Sequence, residues 1–178
     1  MLPDPLVTAR LRCERFTEAH VAELAILDAD ARVQATIFGH TYTLEETRAR
    51  VARRTASWNE NGYGDYVVRL PDGTFVGCVG IFPSGADPSA VHVGYALRPE
   101  YWGRGYATEL CLAIAHAAAA LKPTAIGAVV LETNRASRHV LEKAGFELVG
   151  PNPTDAGTVL YRFTADARRY FALPNTNE

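Results

Sequence analysis

Two glycines stand two positions apart directly before a segment with helical spacing, an arrangement suited to binding an anion. Gly103 and Gly105 leave backbone amides unobstructed, and the first turn of a helix presents unpaired N–H groups with partial positive charge. Together these groups favour a phosphate-bearing ligand. Arg98 and Arg104 would add side-chain charge. A purely structural turn is the competing interpretation of the same two glycines.

Two kinds of phosphate-binding loop are excluded by residues that they require. The P-loop needs Gly-Lys-Ser/Thr, which the sequence lacks. A dinucleotide-binding loop needs a third glycine where Thr108 stands, and an acidic residue about 20 positions further on. The segment from Lys122 to Val130 contains no acidic residue. The loop therefore belongs to neither class.

The elements around these glycines follow from hydrophobic periodicity and from turn residues. The predicted strands cover residues 6–12, 66–70, 75–82, 91–97, 125–131, 146–149 and 159–163. The predicted helices cover residues 17–30, 43–59, 105–121 and 136–144, with a final helical turn at 166–171. The glycines thus lie between a strand and a helix of one mixed α/β domain.

Two motifs resemble the GNAT superfamily of N-acetyltransferases. Gly103-Arg-Gly-Tyr-Ala107 looks like that family's acyl-CoA pyrophosphate loop, whose pattern is Gln/Arg-x-x-Gly-x-Gly/Ala. Gly105 and Ala107 fill the last two positions, and Trp102 stands where Gln or Arg is usual. The second motif, Asn134-Arg-Ala-Ser-Arg-His-Val-Leu-Glu-Lys-Ala-Gly-Phe146, resembles the family's Asn-x-x-Ser and Glu-Lys-x-Gly-Phe element.

Trp102 in its loop and Thr8-Ala-Arg-Leu11 are similar to the RimJ/RimL-like branch, which acetylates ribosomal-protein N-termini. The resemblance implies an α/β (α+β) fold with one domain over residues 1–178, a core over 6–172 and a loose tail at 173–178. The implied sheet is mixed, mostly antiparallel, of six to seven strands, and splayed at a central parallel pair. Helices would cover both faces.

The resemblance also implies acetyl-CoA as co-substrate, with its pantetheine arm between strands 91–97 and 125–131. Asn134 would bond the amide arm or the adenine side, although an Asn there is also an ordinary helix N-cap. Lys143 or Arg138 would meet the 3′-phosphate, although a solvated helix face explains both equally. The implied cofactor-binding residues are Leu97, Arg98, Gly103, Arg104, Gly105, Tyr106, Ala107, Thr108, Asn134, Ser137 and Lys143.

The implied reaction is direct attack of an amine on the acetyl thioester, which needs a base and an oxyanion donor. His92 stands where many family members have a Glu base, and histidine titrates near neutrality. A water chain, Glu100 or Asp155 are the alternatives. The backbone amide near Ala96 or Leu97 is the family's usual oxyanion donor.

The implied acid for the leaving thiolate is Ser137. It matches the Ser of the ribosomal-protein branch, whose hydroxyl reaches the thiol sulfur. Most of the superfamily has a Tyr acid instead, at the position where Leu141 stands here. The competing interpretation is that Ser137 is an ordinary helix residue.

Composition argues against several other classes of protein. A formal net charge of −2 at pH 7 is unfavourable for a general nucleic-acid binder, since phosphate binding needs a basic surface. The longest apolar stretch, from Cys111 to Leu121, is about half a membrane span. Three widely spaced cysteines form neither a disulfide framework nor a zinc ligand set. We expect a bacterial, cytoplasmic protein, a monomer or homodimer, without nucleic-acid or membrane partners.

The first interpretation of function is acetylation of a protein or peptide N-terminal amine. The alternatives are a small-molecule amine acetyltransferase (for an amino acid, polyamine or antibiotic) and a non-catalytic acyl-CoA-binding module. Four arginines of helix 43–59 form either a solvated face or a wall for an acidic substrate: Arg48, Arg50, Arg53 and Arg54. Five aromatic residues form either substrate walls or core: Phe38, Tyr42, Trp58, Tyr63 and Tyr66.

Overall fold

A single eight-stranded sheet organises the computed structural model, which describes residues 1–37, 39–85 and 87–164. In chain order the strands are β1 (Leu6–Val7), β2 (Arg12–Arg15), β3 (Asp65–Arg69), β4 (Phe75–Pro83), β5 (Val91–Leu97), β6 (Ile126–Leu131), β7 (Phe146–Pro151) and β8 (Thr158–Phe163). The spatial order is β1-β2-β3-β4-β5-β6-β8-β7. Neighbouring strands run antiparallel, except that β5 and β6 are parallel. The predicted mixed sheet with one parallel pair is confirmed.

Helices cover both faces of this sheet, as predicted. They are α1 (Val21–Asp28), α2 (Ala31–Gln34), α3 (Leu44–Asn61), α4 (Tyr106–Ala119) and α5 (Arg135–Lys143), with 3₁₀ turns at Glu18–His20 and Pro99–Tyr101. One apolar cluster joins the sheet to α4 and α5, and a second joins it to α1, α2 and α3. Alternate residues of β5 therefore face different helices.

The first predicted strand is wrong in its extent. Residues 6–12 were expected to form one strand, but the structure has a hairpin in which Leu6 pairs with Cys13. The Thr8 hydroxyl accepts a hydrogen bond from the Leu11 amide at 3.1 Å, and the Thr8 amide bonds to the Leu11 carbonyl at 2.9 Å. A threonine thus closes the turn without glycine or proline, and the sheet has eight strands instead of six to seven.

Most other boundaries agree with the predictions. Thr43 and Glu46 form the expected capping box of α3, with a 3.2 Å bond from the Glu46 amide to the Thr43 hydroxyl. Thr17 caps a 3₁₀ turn, and α1 begins only at Val21. The short helix α2 was not predicted. Phe38, the predicted turn at 166–171 and the tail at 173–178 lie outside the described residues.

The parallel pair is splayed, as the resemblance implied. Val91 pairs with Ile126 and His92 with Gly127, and the ladder between these two fully described strands ends there. Beyond that point β6 continues beside β8, and β5 continues beside β4. A gap therefore opens between residues 93–97 of β5 and residues 128–131 of β6.

Cys13, Cys78 and Cys111 are buried free thiols, and burial raises the pKa of Cys13 to about 12 and of Cys78 to about 11. Within the described part of the chain, no helix combines the length and apolar character needed to cross a membrane. Nor do three or more His, Cys, Asp or Glu residues group there as a metal site.

Candidate active site

The gap beside β5 exposes backbone polar groups that a neighbouring strand would normally pair. The Val91 amide bonds to the Ala125 carbonyl at 3.0 Å on the β6 side, and the Arg98 amide bonds to the Val76 carbonyl at 2.9 Å on the β4 side. Backbone groups alternate along a strand, so Val93, Tyr95 and Leu97 all direct their N–H groups towards β6. The ladder still pairs the Val93 amide with Gly127, and the amides of Tyr95 and Leu97 therefore face the gap. Of the two proposed oxyanion donors, Leu97 therefore has the right orientation, and the Ala96 amide faces β4.

The glycine loop lies at the end of this gap. Gly103 and Gly105 have φ values of +72° and +79°, in the left-handed region that favours glycine. The first bond within α4 runs from the Glu109 amide to the Gly105 carbonyl at 3.1 Å. The amides of Tyr106, Ala107 and Thr108 consequently have no partner within the helix. These unpaired amides lie beside the glycine loop, at the start of a 14-residue helix.

An arginine that the sequence analysis did not select lies beside this loop. Arg10, in the β1–β2 turn, donates to the Arg104 carbonyl at 3.0 Å and to Glu109 Oε2 at 2.7 Å. Its guanidinium stacks on the Tyr106 ring at 4.6 Å, and its Nη2 lies 3.4 Å from the position of a Cβ built on Gly105. The only sequence signal for Arg10 was its place in the Thr8-Ala-Arg-Leu11 motif.

Glu109 holds the hairpin to the loop. Besides Arg10, its Oε1 accepts from the Thr8 hydroxyl at 2.6 Å and from the Arg10 amide at 2.9 Å. These bonds connect residues about a hundred positions apart in the chain. The β1–β2 hairpin therefore supports the first turn of α4, with a cation next to its free amides.

The other two arginines of the loop have different surroundings. Arg98 lies towards β4, where its Nη1 is 3.4 Å from the Phe75 carbonyl and its Nε is 3.6 Å from Glu100 Oε2. The exposed Arg104 stacks on the Tyr101 ring at 5.5 Å. The Arg98 guanidinium lies 6.0 Å from the same Tyr101 ring, and Arg10 contacts Arg104 through its backbone carbonyl.

Trp102, which stands where the family has Gln or Arg, reaches back to the strand. Its indole Nε1 donates to the Leu97 carbonyl at 2.7 Å. The ring is 45% exposed, so the side chain lies at the surface and covers the end of β5. The indole thereby satisfies one of the carbonyl groups that faces the gap.

Helix α5 begins on the far side of the gap. The Asn134 side chain accepts from the Ser137 amide at 3.0 Å and donates to the Thr36 carbonyl at 3.0 Å. The ordinary N-cap interpretation of Asn134 is therefore confirmed, and the same amide also connects α5 to the end of α2. Lys143 is exposed at the other end of the nine-residue helix, about 13 Å from Asn134 along its axis.

Ser137 lies on the first turn of α5 and has an unpredicted partner. The hydroxyl of Tyr95, on β5, lies 3.0 Å from Ser137 Oγ. Burial is the main cause that raises the pKa of the Tyr95 phenol. Leu141, one turn further along α5, is 2% exposed and packs in the core. A tyrosine hydroxyl is therefore present near Ser137, although it comes from β5.

His92 lies on the opposite face of β5. Its ring packs edge-on against Phe82, with centroids 6.1 Å apart, and its Cδ2 lies 3.0 Å from a Cβ built on Gly127. A cavity of roughly 180 Å³ adjoins it, lined also by Ser84, Asp87 and Arg162. Burial lowers the pKa of His92 below its ordinary value. The imidazole is therefore neutral at pH 7 and has a nitrogen lone pair available.

The two carboxylates that are alternative candidates for the base, Glu100 and Asp155, are both exposed. Glu100 has a side chain that is 54% exposed and interacts with Arg98. Asp155 is exposed in the turn before β8, where its carbonyl accepts from the Thr158 hydroxyl at 2.7 Å. His92 is the one of these three residues that lies on β5 where the gap begins.

The α3 arginines do not act as one set, and two of them fit neither interpretation. Arg48 pairs with Glu18 at the surface. Arg50 instead lies in a buried network, 3.0 Å from Asp28 and 3.8 Å from Asp65, and Arg54 lies 3.4 Å from Asp65. These two arginines are neither a solvated face nor free to bind an acidic substrate.

Two of the aromatic residues that could have lined a substrate pocket, Trp58 and Tyr66, belong to the core. Trp58 is 2% exposed and Tyr66 is fully buried, and their rings meet edge-on with centroids 4.9 Å apart. The Trp58 indole donates to the Asp65 carbonyl, and the Tyr66 hydroxyl to the Pro3 carbonyl. Tyr42 and Tyr63 are partly buried.

Comparison with known proteins identifies the family. A sequence model described as "Acetyltransferase (GNAT) domain" matches residues 10–147, which is more than half of the chain. The chain belongs to this acetyltransferase family. The family and the fold that the sequence motifs implied are thereby confirmed, and acetyl-CoA is the co-substrate of the family. The observed gap and loop fit this molecule, because they offer unpaired amides to an amide-bearing arm and to phosphates.

The similar proteins include two from bacteria. The uncharacterized N-acetyltransferase YoaA of Bacillus subtilis (strain 168) is 33% identical over 76 residues, so the match spans 42% of this chain and 43% of that protein. An acetyltransferase structure from Agrobacterium tumefaciens str. C58 is 26% identical with a TM-score of 0.80, covering 92% of this chain and 96% of that one.

Two more distant structures differ in what they act on. RimL, a ribosomal L7/L12 N-acetyltransferase in complex with coenzyme A, is 22% identical with a TM-score of 0.74, over 90% of this chain and 97% of that one. The aminoglycoside acetyltransferase AAC(6')-Ib, with coenzyme A and kanamycin, is 18% identical with a TM-score of 0.74, over 88% and 96%. At these identities the likeness is one of fold.

Proposed function

We propose that this chain transfers an acetyl group from acetyl-CoA to the N-terminal amine of a protein or peptide. The observation that carries the proposal is the gap beside β5, which ends at the glycine loop and is flanked by His92 on one face and Ser137 on the other. A thioester in such a gap is reachable from both faces of the sheet. Proximity of the two bound substrates would supply much of the rate.

The loop and the strand hold the co-substrate in this proposal. The amides of Gly103 to Thr108 and the guanidinium of Arg10 bind the pyrophosphate, assisted by Arg104. The backbone of Leu97 bonds the pantetheine arm together with the groups of Val93 and Tyr95 that face the gap. Arg98 and Asn134 act by stabilising the loop and the start of α5, and Lys143 contributes charge from the far end of the helix.

The reaction needs three functions from this chain's own residues. His92 accepts the proton of the attacking amine, directly or through a water molecule. The Leu97 amide, directed into the gap, donates to the oxygen that becomes negative when the amine attacks. Ser137 donates to the sulfur as the carbon–sulfur bond breaks. When bound, acetyl-CoA supplies the activated acetyl thioester.

The preference for an N-terminal amine has a physical reason besides branch resemblance. An α-amine has a pKa of about 7.7–8.0, against about 10.4 for a lysine side chain. Burial lowers the pKa of His92 below that of a free histidine, which makes its imidazole a weaker base. Such a base is better matched to an amine that is already partly unprotonated at pH 7.

The test is thiol release from acetyl-CoA with matched peptides. One peptide has a free α-amine and no lysine, and its partner has an acetylated N-terminus and one lysine. We expect turnover with the first peptide and little with the second, and mass spectrometry should locate one acetyl group on the N-terminus. Turnover with lysine alone would contradict the proposed acceptor.

A small-molecule amine is the second candidate, supported by the shared fold of AAC(6')-Ib. Kanamycin, spermidine and free amino acids in the same assay distinguish it from the first. If acetyl-CoA binds but no amine in either set releases thiol, the chain is a non-catalytic binding module. Each outcome therefore selects one function class.

A further inference from the structure

A tyrosine and a serine meet across the gap, from two different elements. Tyr95 lies in the part of β5 that has left β6, and its side chain packs in the apolar cluster beneath α4. Its hydroxyl donates to Ser137 Oγ at 3.0 Å. The two hydroxyls thus lie where β5 and α5 face each other.

The direction of this bond leaves one proton of Ser137 available. A serine hydroxyl has one proton and two acceptor lone pairs. Because it accepts from Tyr95, its own proton remains free to donate into the gap. The Ser137 amide is bonded to Asn134 Oδ1 at 3.0 Å, so the first turn of α5 holds the residue in place. Ser137 is therefore anchored by its amide and oriented by its oxygen.

We propose that Tyr95 is a positioning residue that orients the Ser137 hydroxyl towards the leaving sulfur and strengthens it as a donor. Tyr95 and Ser137 together take over the role of the single tyrosine whose family position is occupied by Leu141. This inference rests on the proposed function. It adds a residue from β5 to a role otherwise assigned to α5 alone.

The chemistry balances without consuming either hydroxyl. The amine nitrogen forms a bond to the acetyl carbon, and the carbon–sulfur bond breaks with its electron pair on sulfur. The amine loses one proton overall and the sulfur gains one, giving an amide and a thiol. The Ser137 O–H bonds to the negative sulfur until that proton arrives, and the Tyr95 O–H bonds to Ser137.

Two physical features favour donation over proton loss by Tyr95. Burial raises the pKa of its phenol, so it stays protonated throughout. Chains of hydrogen bonds also polarise one another in a low-dielectric interior, which strengthens the terminal donor. The pair therefore works as a two-hydroxyl donor chain.

The test is a double-mutant cycle with Tyr95→Phe, Ser137→Ala and the double variant. Hydrogen bonds to charged groups correspond to about a 10- to 100-fold effect, which we expect for kcat in Ser137→Ala. Tyr95→Phe should lower kcat by about 5- to 10-fold, since it weakens the same bond indirectly. The double variant should be no slower than Ser137→Ala, and KM for acetyl-CoA should change by less than about 2-fold.

The matched control is Tyr161→Phe. Tyr161 is a buried tyrosine of β8 whose hydroxyl also bonds to α5, donating to Glu142 Oε1 at 3.0 Å and accepting from Arg138 Nε at 3.2 Å. A general loosening of α5 should appear in this variant as well, and the proposal expects its kcat at saturating acetyl-CoA to equal that of wild type. Ser137→Thr, which keeps the hydroxyl, should retain most of the activity.

The outcomes separate this inference from the proposed function. Wild-type protein that releases no thiol with any amine overturns both. Turnover by wild type with an unchanged kcat in Tyr95→Phe overturns the role of Tyr95 alone, as do strictly additive losses in the cycle. If Tyr95→Phe does not fold, Tyr95→Leu removes the same hydroxyl, and a kcat equal to that of wild type there overturns the proposal.

Discussion

His92 and Tyr95 project from opposite faces of β5, three residues apart, at the point where that strand leaves β6. Tyr95 packs with the cluster under α4, and Ala96, which shares the His92 face, packs with the cluster under α1 to α3. The proposed base and the proposed donor therefore approach the gap from different sides of the sheet. Acceptor and co-substrate need not compete for the same space.

Replacement of Gly105 by Glu is expected to abolish acetyl-CoA binding. The residue has φ of +79°, and a carboxylate there would meet the phosphates among the free amides of α4. A ligand at about 100 times its dissociation constant stabilises a protein by about 2.7 kcal/mol, and this gain should disappear in thermal unfolding. The control is Gly150→Glu in the edge strand β7, where φ is +146° and the space is open. Equal binding by both variants would place the phosphates elsewhere.

The pH dependence of kcat should carry the signature of His92. Burial lowers its pKa below the ordinary 6.5, so the midpoint of the acid limb of kcat should lie below pH 6.5. His92→Gln should lose that limb and about 100-fold or more of kcat. An acid limb that persists in His92→Gln assigns the base to another group.

The lowered pKa of His92 also makes the free energy of unfolding depend on pH. The unfolded chain binds the His92 proton more readily than the folded one, so stability is fully present above pH 6.5 and is lost as the pH falls from 6.5 towards the lower folded pKa. In His92→Gln this part of the dependence should vanish. Urea unfolding of both proteins at pH 5 and pH 7.5 measures it.

Replacement of Arg10 by Met should raise KM for acetyl-CoA much more than it lowers Tm. Arg10 places a guanidinium beside the loop, but its side chain is 49% exposed, so its pair with Glu109 contributes modestly to folding. Arg12→Met, in an exposed pair with Glu14 on β2, is the matched control and should leave KM unchanged. A similar KM in both variants would limit Arg10 to a structural role.

The buried arginine of α3 should be important for stability and its exposed neighbour should not. Arg50→Met leaves Asp28 and Asp65 without their shared cation, at side-chain exposures of 6% and 11%. Breaking a buried pair in this way costs about 3–5 kcal/mol. Arg48→Met removes only a surface pair with Glu18 and should cost less than about 1 kcal/mol. Urea unfolding compares the two directly.

Sequence reasoning succeeded where local signals and a motif agreed. The strand 91–97 was predicted with its observed bounds, and α4 begins one residue after the glycine that was expected to open it. Hydrophobic alternation, the Pro99 that follows the strand, and the glycine pair all act within a few residues. The family resemblance then supplied the parallel pair and its splay, which periodicity alone does not predict.

What could not be predicted depends on contacts between distant parts of the chain. Arg10 and Glu109 are 99 positions apart, and Tyr95 and Ser137 are 42. Neither pair has a spacing that a helix or strand would reveal. The β1–β2 turn was missed because Thr8 closes it with its own hydroxyl, without the glycine or proline that marks most turns. The burial of Arg50 likewise depends on Asp28 and Asp65, which come from different elements.

The short ladder between β5 and β6 divides the sheet into two parts that are hydrogen-bonded to each other at only one end of these strands. One part comprises β1 to β5, and the other comprises β6, β8 and β7. A molecule that hydrogen-bonds to both edges of the gap would also hold these two parts together. We therefore expect hydrogen exchange along the facing edges of β5 and β6 to be slower with acetyl-CoA bound than in the free protein.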